Sequence, residues 1–132
     1  MKLEAIARGL YDVMLPKSFE EAKEGLYLVK TSYLEMKIHV CETYIRLSGV
    51  IDLCDYMDQE KSMEYVKDIE DVVDRVSRYV PFLTFEVDDN LRAILLHWDV
   101  VPEDTDELLM DVLKLQGAME LAYDYLDTMF EF

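Results

Sequence analysis

Residues 19–57, FEEAKEGLYLVKTSYLEMKIHVCETYIRLSGVIDLCDYM, run without a proline and decide how the whole chain is read. Ala22, Leu26, Val29, Tyr33, Met36, Val40, Thr43, Leu47, Val50, Cys54 and Met57 follow one another at steps of four and three. Only Thr43 is out of character. Such spacing predicts one long helix with a heptad seam. Straight, it would extend about 58 Å at the helical rise, whereas a chain of this size folds to a body roughly 36 Å across. The helix is therefore expected to kink at Ser48-Gly49 or to be covered by a second copy of the chain.

The flanking segments fit the same scheme. Leu3, Ile6, Leu10 and Val13 form one stripe of a first helix that ends at Leu15-Pro16. Ser18-Phe19-Glu20-Glu21 has the capping-box pattern and opens the second. Asp58 to Lys61 resets the chain, and Met63, Val66, Ile69, Val73, Val76 and Val80 give the next stripe, up to Pro81. Phe82 to Val87 is apolar and aromatic, but a lone strand has nothing to pair with, so a packed loop is expected. Asp88 or Asp89 can cap a short helix carrying Leu91, Ile94, Leu95 and Trp98 on one face.

Pro102 and the acids that follow open the last helix, where carboxylates suit the helix dipole. Leu108, Val112, Leu115, Met119, Ala122, Leu126 and Met129 keep heptad spacing there, beside a second apolar row of Leu109, Leu113, Leu121, Tyr125 and Phe132. The expected architecture is all-α, a single domain over 1–132 built as an antiparallel bundle of four to five helices with heptad-like packing. The doubly apolar last helix and the long second helix both point to a homodimer.

Charge narrows the function. The chain of 132 residues carries 29 acidic and 13 basic side chains, a formal net charge of -16. From Asp99 to Phe132 ten acids face one base, Lys114. That surface repels nucleic acid and anionic lipid and attracts a basic protein. No apolar run approaches the roughly 20 residues of a membrane span, and Met1-Lys2-Leu3-Glu4 lacks the look of a secretory leader. A cytoplasmic protein is expected, with Cys41 and Cys54 as free thiols. One asparagine and two glutamines suit a thermophilic source.

No glycine loop for phosphates and no metal-type cysteine spacing occurs in the sequence, so no cofactor is expected. Glu35, His39 and Glu42, at steps of four and three, would share a helix face and form a weak metal-ligand set. The foremost candidates are Asp104, Asp106, Glu107 and Asp111 with Tyr123, Asp124 and Asp127, where rings among carboxylates suit binding of a protein partner. On this reading the chain is a non-enzymatic interaction or regulatory protein: a scaffold, an inhibitor or a nucleic-acid mimic. A structural subunit of a larger assembly also fits the apolar surplus.

One further motif is Arg92-Ala93-Ile94-Leu95-Leu96-His97, an arginine and a histidine five positions apart before a long final helix. Here the chain resembles the HEPN family of small all-α bundles, many of them ribonucleases and toxins. The resemblance implies that His97 acts in acid-base or phosphate chemistry and that Arg92 steadies the scissile phosphate.

Overall fold

The computed structural model describes residues 2–13, 19–30, 34–53, 65–88 and 93–130. It replaces the expected helical bundle with a mixed α/β fold. The elements are α1 (Lys2–Val13), β1 (Phe19–Lys23), β2 (Leu26–Lys30), β3 (Glu35–Val40), β4 (Ile45–Asp52), α2 (Val66–Tyr79), β5 (Thr84–Val87), β6 (Ala93–Val100) and α3 (Thr105–Phe130). Six strands form one antiparallel sheet in the order β1-β2-β3-β4-β6-β5. The three stripes at the start, middle and end of the chain are helical. The long second helix is instead the meander β1 to β4, and the short fourth helix is β6.

Two compact units divide the chain, Met1–Gly49 with Trp98–Gln116 and Val50–His97 with Gly117–Phe132. In the first, burial alternates along β3, with Met36 and Ile38 inside and Glu35, Lys37 and His39 exposed. Tyr27 and Val29 on β2, and Ile45 and Leu47 on β4, continue the buried set. That is the period of two in which successive side chains point to opposite faces. Leu26, Val40 and Ala22, which complete the supposed heptad seam, stand outside this buried set.

The hairpin β1–β2 turns through Glu24-Gly25, with Lys23 opposite Leu26. Gly25 takes φ 76°, a left-handed conformation that a side chain resists. Its carbonyl accepts a 2.7 Å bond from the Val40 amide. Pairing then runs from Leu26 opposite His39 to Lys30 opposite Glu35, and β3 meets β4 from Met36 opposite Gly49 to Val40 opposite Ile45. Helix α1 lies against β3 and buries Leu3, Ile6, Ala7 and Leu10.

The start of α3 approaches α1 closely. Thr105 Oγ1 donates 3.2 Å to the carbonyl of Ile6, and a Cβ at Gly9 would stand 2.6 Å from that same oxygen. Gly9→Ala should therefore destabilise the protein, because crowding of about 1–3 kcal/mol outweighs a helix-propensity gain of about 1 kcal/mol. In a Thr105→Ala background the oxygen is gone and the remaining Cβ lies at an ordinary 3.6 Å. There the same substitution should stabilise, a reversal of sign read from urea unfolding midpoints.

In the second unit α2 buries Ile69, Val72 and Val76 and packs on β5. Residues Phe82 to Val87, expected as a loop, include β5, because β6 gives it a partner. Thr84 pairs with His97, Phe85 with Leu96, Glu86 with Leu95 and Val87 with Ile94. Ile94 and Leu96 point inward on β6. Ile51, Leu53 and Leu83, with Ala118, Met119, Ala122 and Leu126 of α3, are also buried in this unit. Among the described residues no helix is long and apolar enough to cross a membrane.

Candidate interaction surface

The acids grouped at the start of α3 have different local roles. Asp104 Oδ1 accepts the Glu107 amide at 2.8 Å, capping the helix, and Glu107 Oε2 accepts the Glu103 amide at 3.3 Å. The first bond satisfies an amide that an α-helix leaves open in its first turn, and the second ties the segment before the cap to that turn. Asp106 is exposed, with no side-chain bond among the described residues. Asp111, by contrast, is buried.

Burial pushes the Asp111 carboxyl above the usual range, Lys114 pulls it down, and Glu107 pushes it up again. A raised carboxyl makes the charged form costly in the folded chain. The cost is absent below the ordinary aspartate pKa of about 4, where both states are protonated, and grows as pH rises through the raised value. Asp111→Asn should accordingly raise the urea midpoint at pH 7 and give no advantage near pH 3. A lower midpoint at pH 7 would show that the charge is compensated.

Beside these acids, α3 leaves large apolar side chains in solvent. Met110 is 55% exposed and Leu113 50%, with Val101 at 67% just before the helix. Met110 and Leu113 are three positions apart and Asp106 is four before Met110, so the three share one helix face. The result is an apolar pair bordered by carboxylates, all within the first unit. Leu113 stood in the second apolar row of the sequence; Met110 was missed because it belongs to neither apolar row of that helix.

The remaining partner-binding candidates lie on the other half of α3, in the second unit. Tyr123 is half-buried and engaged in an interaction, while Asp124 and Asp127 are exposed. The same unit holds a group that the sequence reading overlooked. Arg75, Arg78 and Tyr79 on α2 and Tyr125 on α3 line a surface cavity of about 440 Å³. The Arg75 guanidinium sits 5.9 Å from the centre of the Tyr125 ring. The signal was available, since Arg75 and Arg78 are two of five arginines in a chain otherwise dominated by acids.

The weaker candidates are separated by the strands. Glu35 and His39 both point to the exposed side of β3, but four strand residues put them roughly 13 Å apart, and Glu42 lies in the turn after it. No group of three or more metal-type ligands occurs among the described residues. His39 instead neighbours Arg46 across the β3–β4 pair, and Arg46 makes a bidentate contact of 2.7 and 3.0 Å with Asp99 of β6. Cys41 is a free thiol.

His97 is on β6, opposite Thr84, not on a helix. The helical setting that the HEPN resemblance requires is therefore lacking. Arg92, with Pro16, Ser18, Cys54, Asp89 and Phe132, lies outside the described residues.

Fold and surface together define a small α/β protein with an acidic, partly apolar helical face. No protein-family model matches the sequence, and no curated protein does. Among solved structures it is similar to the crystal structure of an uncharacterized protein from Methanothermobacter thermautotrophicus, at 13% identity and a TM-score of 0.64. The match covers 96% of this chain and 98% of that one. What the two share is the fold.

Proposed function

We propose that this chain is a cytoplasmic, non-enzymatic interaction module that binds a basic, partly apolar segment of another protein on the outer face of α3. The observation that carries the reading is the exposure of Met110 and Leu113, one turn apart, beside the carboxylate of Asp106. Apolar anchors supply affinity when a partner removes them from water, and a charged rim supplies orientation and rate. A net charge of -16 favours a basic partner over any anionic one.

A second copy of the chain is the rival occupant. The geometric motive for self-association, an uncovered 58 Å helix by the estimate from helical rise, disappears with the strands; the exposed Leu113 remains. Two identical faces would bring like-charged rims together, which disfavours that pairing.

The test compares proteins captured by the unaltered chain and by Leu113→Glu, identified by mass spectrometry, with light scattering on the chain alone. Support requires a purified captured protein that binds directly through a Lys/Arg-rich segment and is lost with the variant. A dimer that Leu113→Glu dissociates would assign the face to self-association instead. Capture indifferent to Leu113→Glu would sink the proposal.

A further inference from the structure

Between α2 and the C-terminal half of α3, in the second unit, two cations and two aromatic rings gather around a cavity. Arg75, Arg78 and Tyr79 come from the last two turns of α2, and Tyr125 faces them from α3. Asp68, Glu70, Asp71 and Asp74 precede them on α2, with Lys67 as the one base in its earlier turns. One basic group near a helix C-terminus is explained by the helix dipole, which amounts to about half a negative charge there. Two are more than that dipole needs.

Neither arginine makes an ion pair among the described residues. That contrasts with Arg8, bonded to Glu21 at 2.6 Å, and with Arg46, bonded to Asp99. Carboxylates outnumber cations in this chain by 29 to 13, and Asp71 and Asp74 stand four positions before Arg75 and Arg78 on α2, yet among the described residues neither guanidinium is ion-paired. Arg75 is laid over the Tyr125 ring, which orients its planar fork, and Arg78 follows one turn later on the same side of α2. Tyr79 is 69% exposed, so one of its ring faces is open to solvent.

From this geometry we infer that the Arg75–Arg78–Tyr79–Tyr125 cavity is a binding site for a small phosphate monoester carried on a planar ring, a ligand of mononucleotide size. Two guanidinium forks match the oxygens and the nearly double negative charge of a phosphate monoester. The tyrosine rings offer stacking surface for the planar group. A volume of about 440 Å³ falls within the range of small-molecule sites, roughly 300–1,000 Å³. Size also selects against longer anions: an acidic peptide or a nucleic acid would extend beyond the arginines into the field of the surrounding carboxylates, whereas a compact ligand ends within them. The site is separate from the Met110–Leu113 face and does not depend on the function proposed for it.

The experiment titrates the full chain with adenosine monophosphate, inorganic phosphate and adenosine, each followed by calorimetry and by the NMR signals of Tyr79 and Tyr125. The expected result is that the monophosphate binds at least tenfold more tightly than either fragment. Arg78→Gln should weaken it at least tenfold, and Tyr79→Ala should weaken it severalfold while leaving phosphate binding unchanged. Arg78 touches no described partner, so its variant should keep the circular dichroism and unfolding midpoint of the parent. No saturable monophosphate binding at millimolar concentration overturns the inference. So does binding equalled by adenosine, which would leave the arginines without a role, or binding equalled by phosphate, which would leave the rings without one. Affinity unchanged in Arg78→Gln would place the ligand elsewhere and overturn it as well.

Discussion

Tyr27→Ala should lower the free energy of unfolding by about 3–5 kcal/mol, the usual cost of emptying a buried aromatic site. Tyr27 has no exposed surface and is among the largest fully buried side chains. The Arg8 guanidinium lies 5.7 Å from its ring centre, Tyr11 packs at 5.9 Å, and the hydroxyl donates 3.1 Å to Glu4 Oε1. Tyr27→Phe keeps the ring and loses the hydroxyl bond, so about 1–2 kcal/mol is expected. Alkaline titration gives a second readout. Burial first, then the bond to Glu4 and its charge, push the Tyr27 hydroxyl up to about 12.

The unfolded chain loses that proton near pH 10 and the folded chain keeps it. The associated stability is fully present below pH 10 and falls as pH rises through about 12, by about 3 kcal/mol in all. Tyr27 should therefore ionise well after an unperturbed phenol, and its late step should vanish in Tyr27→Phe. A loss below about 1 kcal/mol in Tyr27→Ala, well under the usual buried-aromatic cost, would put the ring outside the core.

If α3 binds a basic partner as proposed, Leu113→Glu should weaken that binding by about 30- to 100-fold, the loss typical of a central anchor, with little change in the unfolding midpoint. Leu113 is half-exposed in the isolated chain, so its replacement leaves no cavity. In a complex it would be covered, and a carboxylate there would be stripped of water. Asp106→Asn should act differently, slowing association several-fold and flattening the salt dependence, because exposed charges steer encounters more than they hold complexes. Asp104 and Glu107 are poor probes, since their carboxylates hold the start of α3. An Asp106→Asn variant with an unchanged salt slope would separate the acidic rim from binding.

Three helices were legible in the sequence because their apolar residues fall on one stripe and their ends carry prolines or acids. The meander was not, and the reason is physical. Between Leu26 and Leu53 apolar residues stand on both sides of the strands, as Leu26, Leu28 and Val50 do outside the buried set. A four-and-three ladder can then be threaded through a two-residue alternation, each step of four staying on a face and each step of three crossing it. Length and local chemistry argued the other way: the β-branched and aromatic content of 26–53, the turn signal Glu24-Gly25, and a helix too long for its domain. Tyr27, Val29, Met36, Ile38, Ile45 and Leu47 carry the alternation once turns are placed at Gly25 and at Cys41 to Tyr44.

The site was legible in part. Charge pointed to α3, and Leu113 was in view, but which acids are free depends on capping and burial that only coordinates reveal. Arg75 and Tyr125 are fifty positions apart, and no periodicity links them.

The bond between Thr105 and the Ile6 carbonyl joins positions 99 residues apart, which sets a timetable for the newborn chain. At ribosomal speeds of about 5–20 residues per second, α1 is synthesised on the order of 5–20 s before Thr105 is made. Each compact unit is also stitched from two stretches interrupted by the other. No single proteolytic cut releases either one whole, and a truncated transcript that stops before α3 yields neither. The first unit is complete only once Gln116 has been made, long after its opening helix and strands.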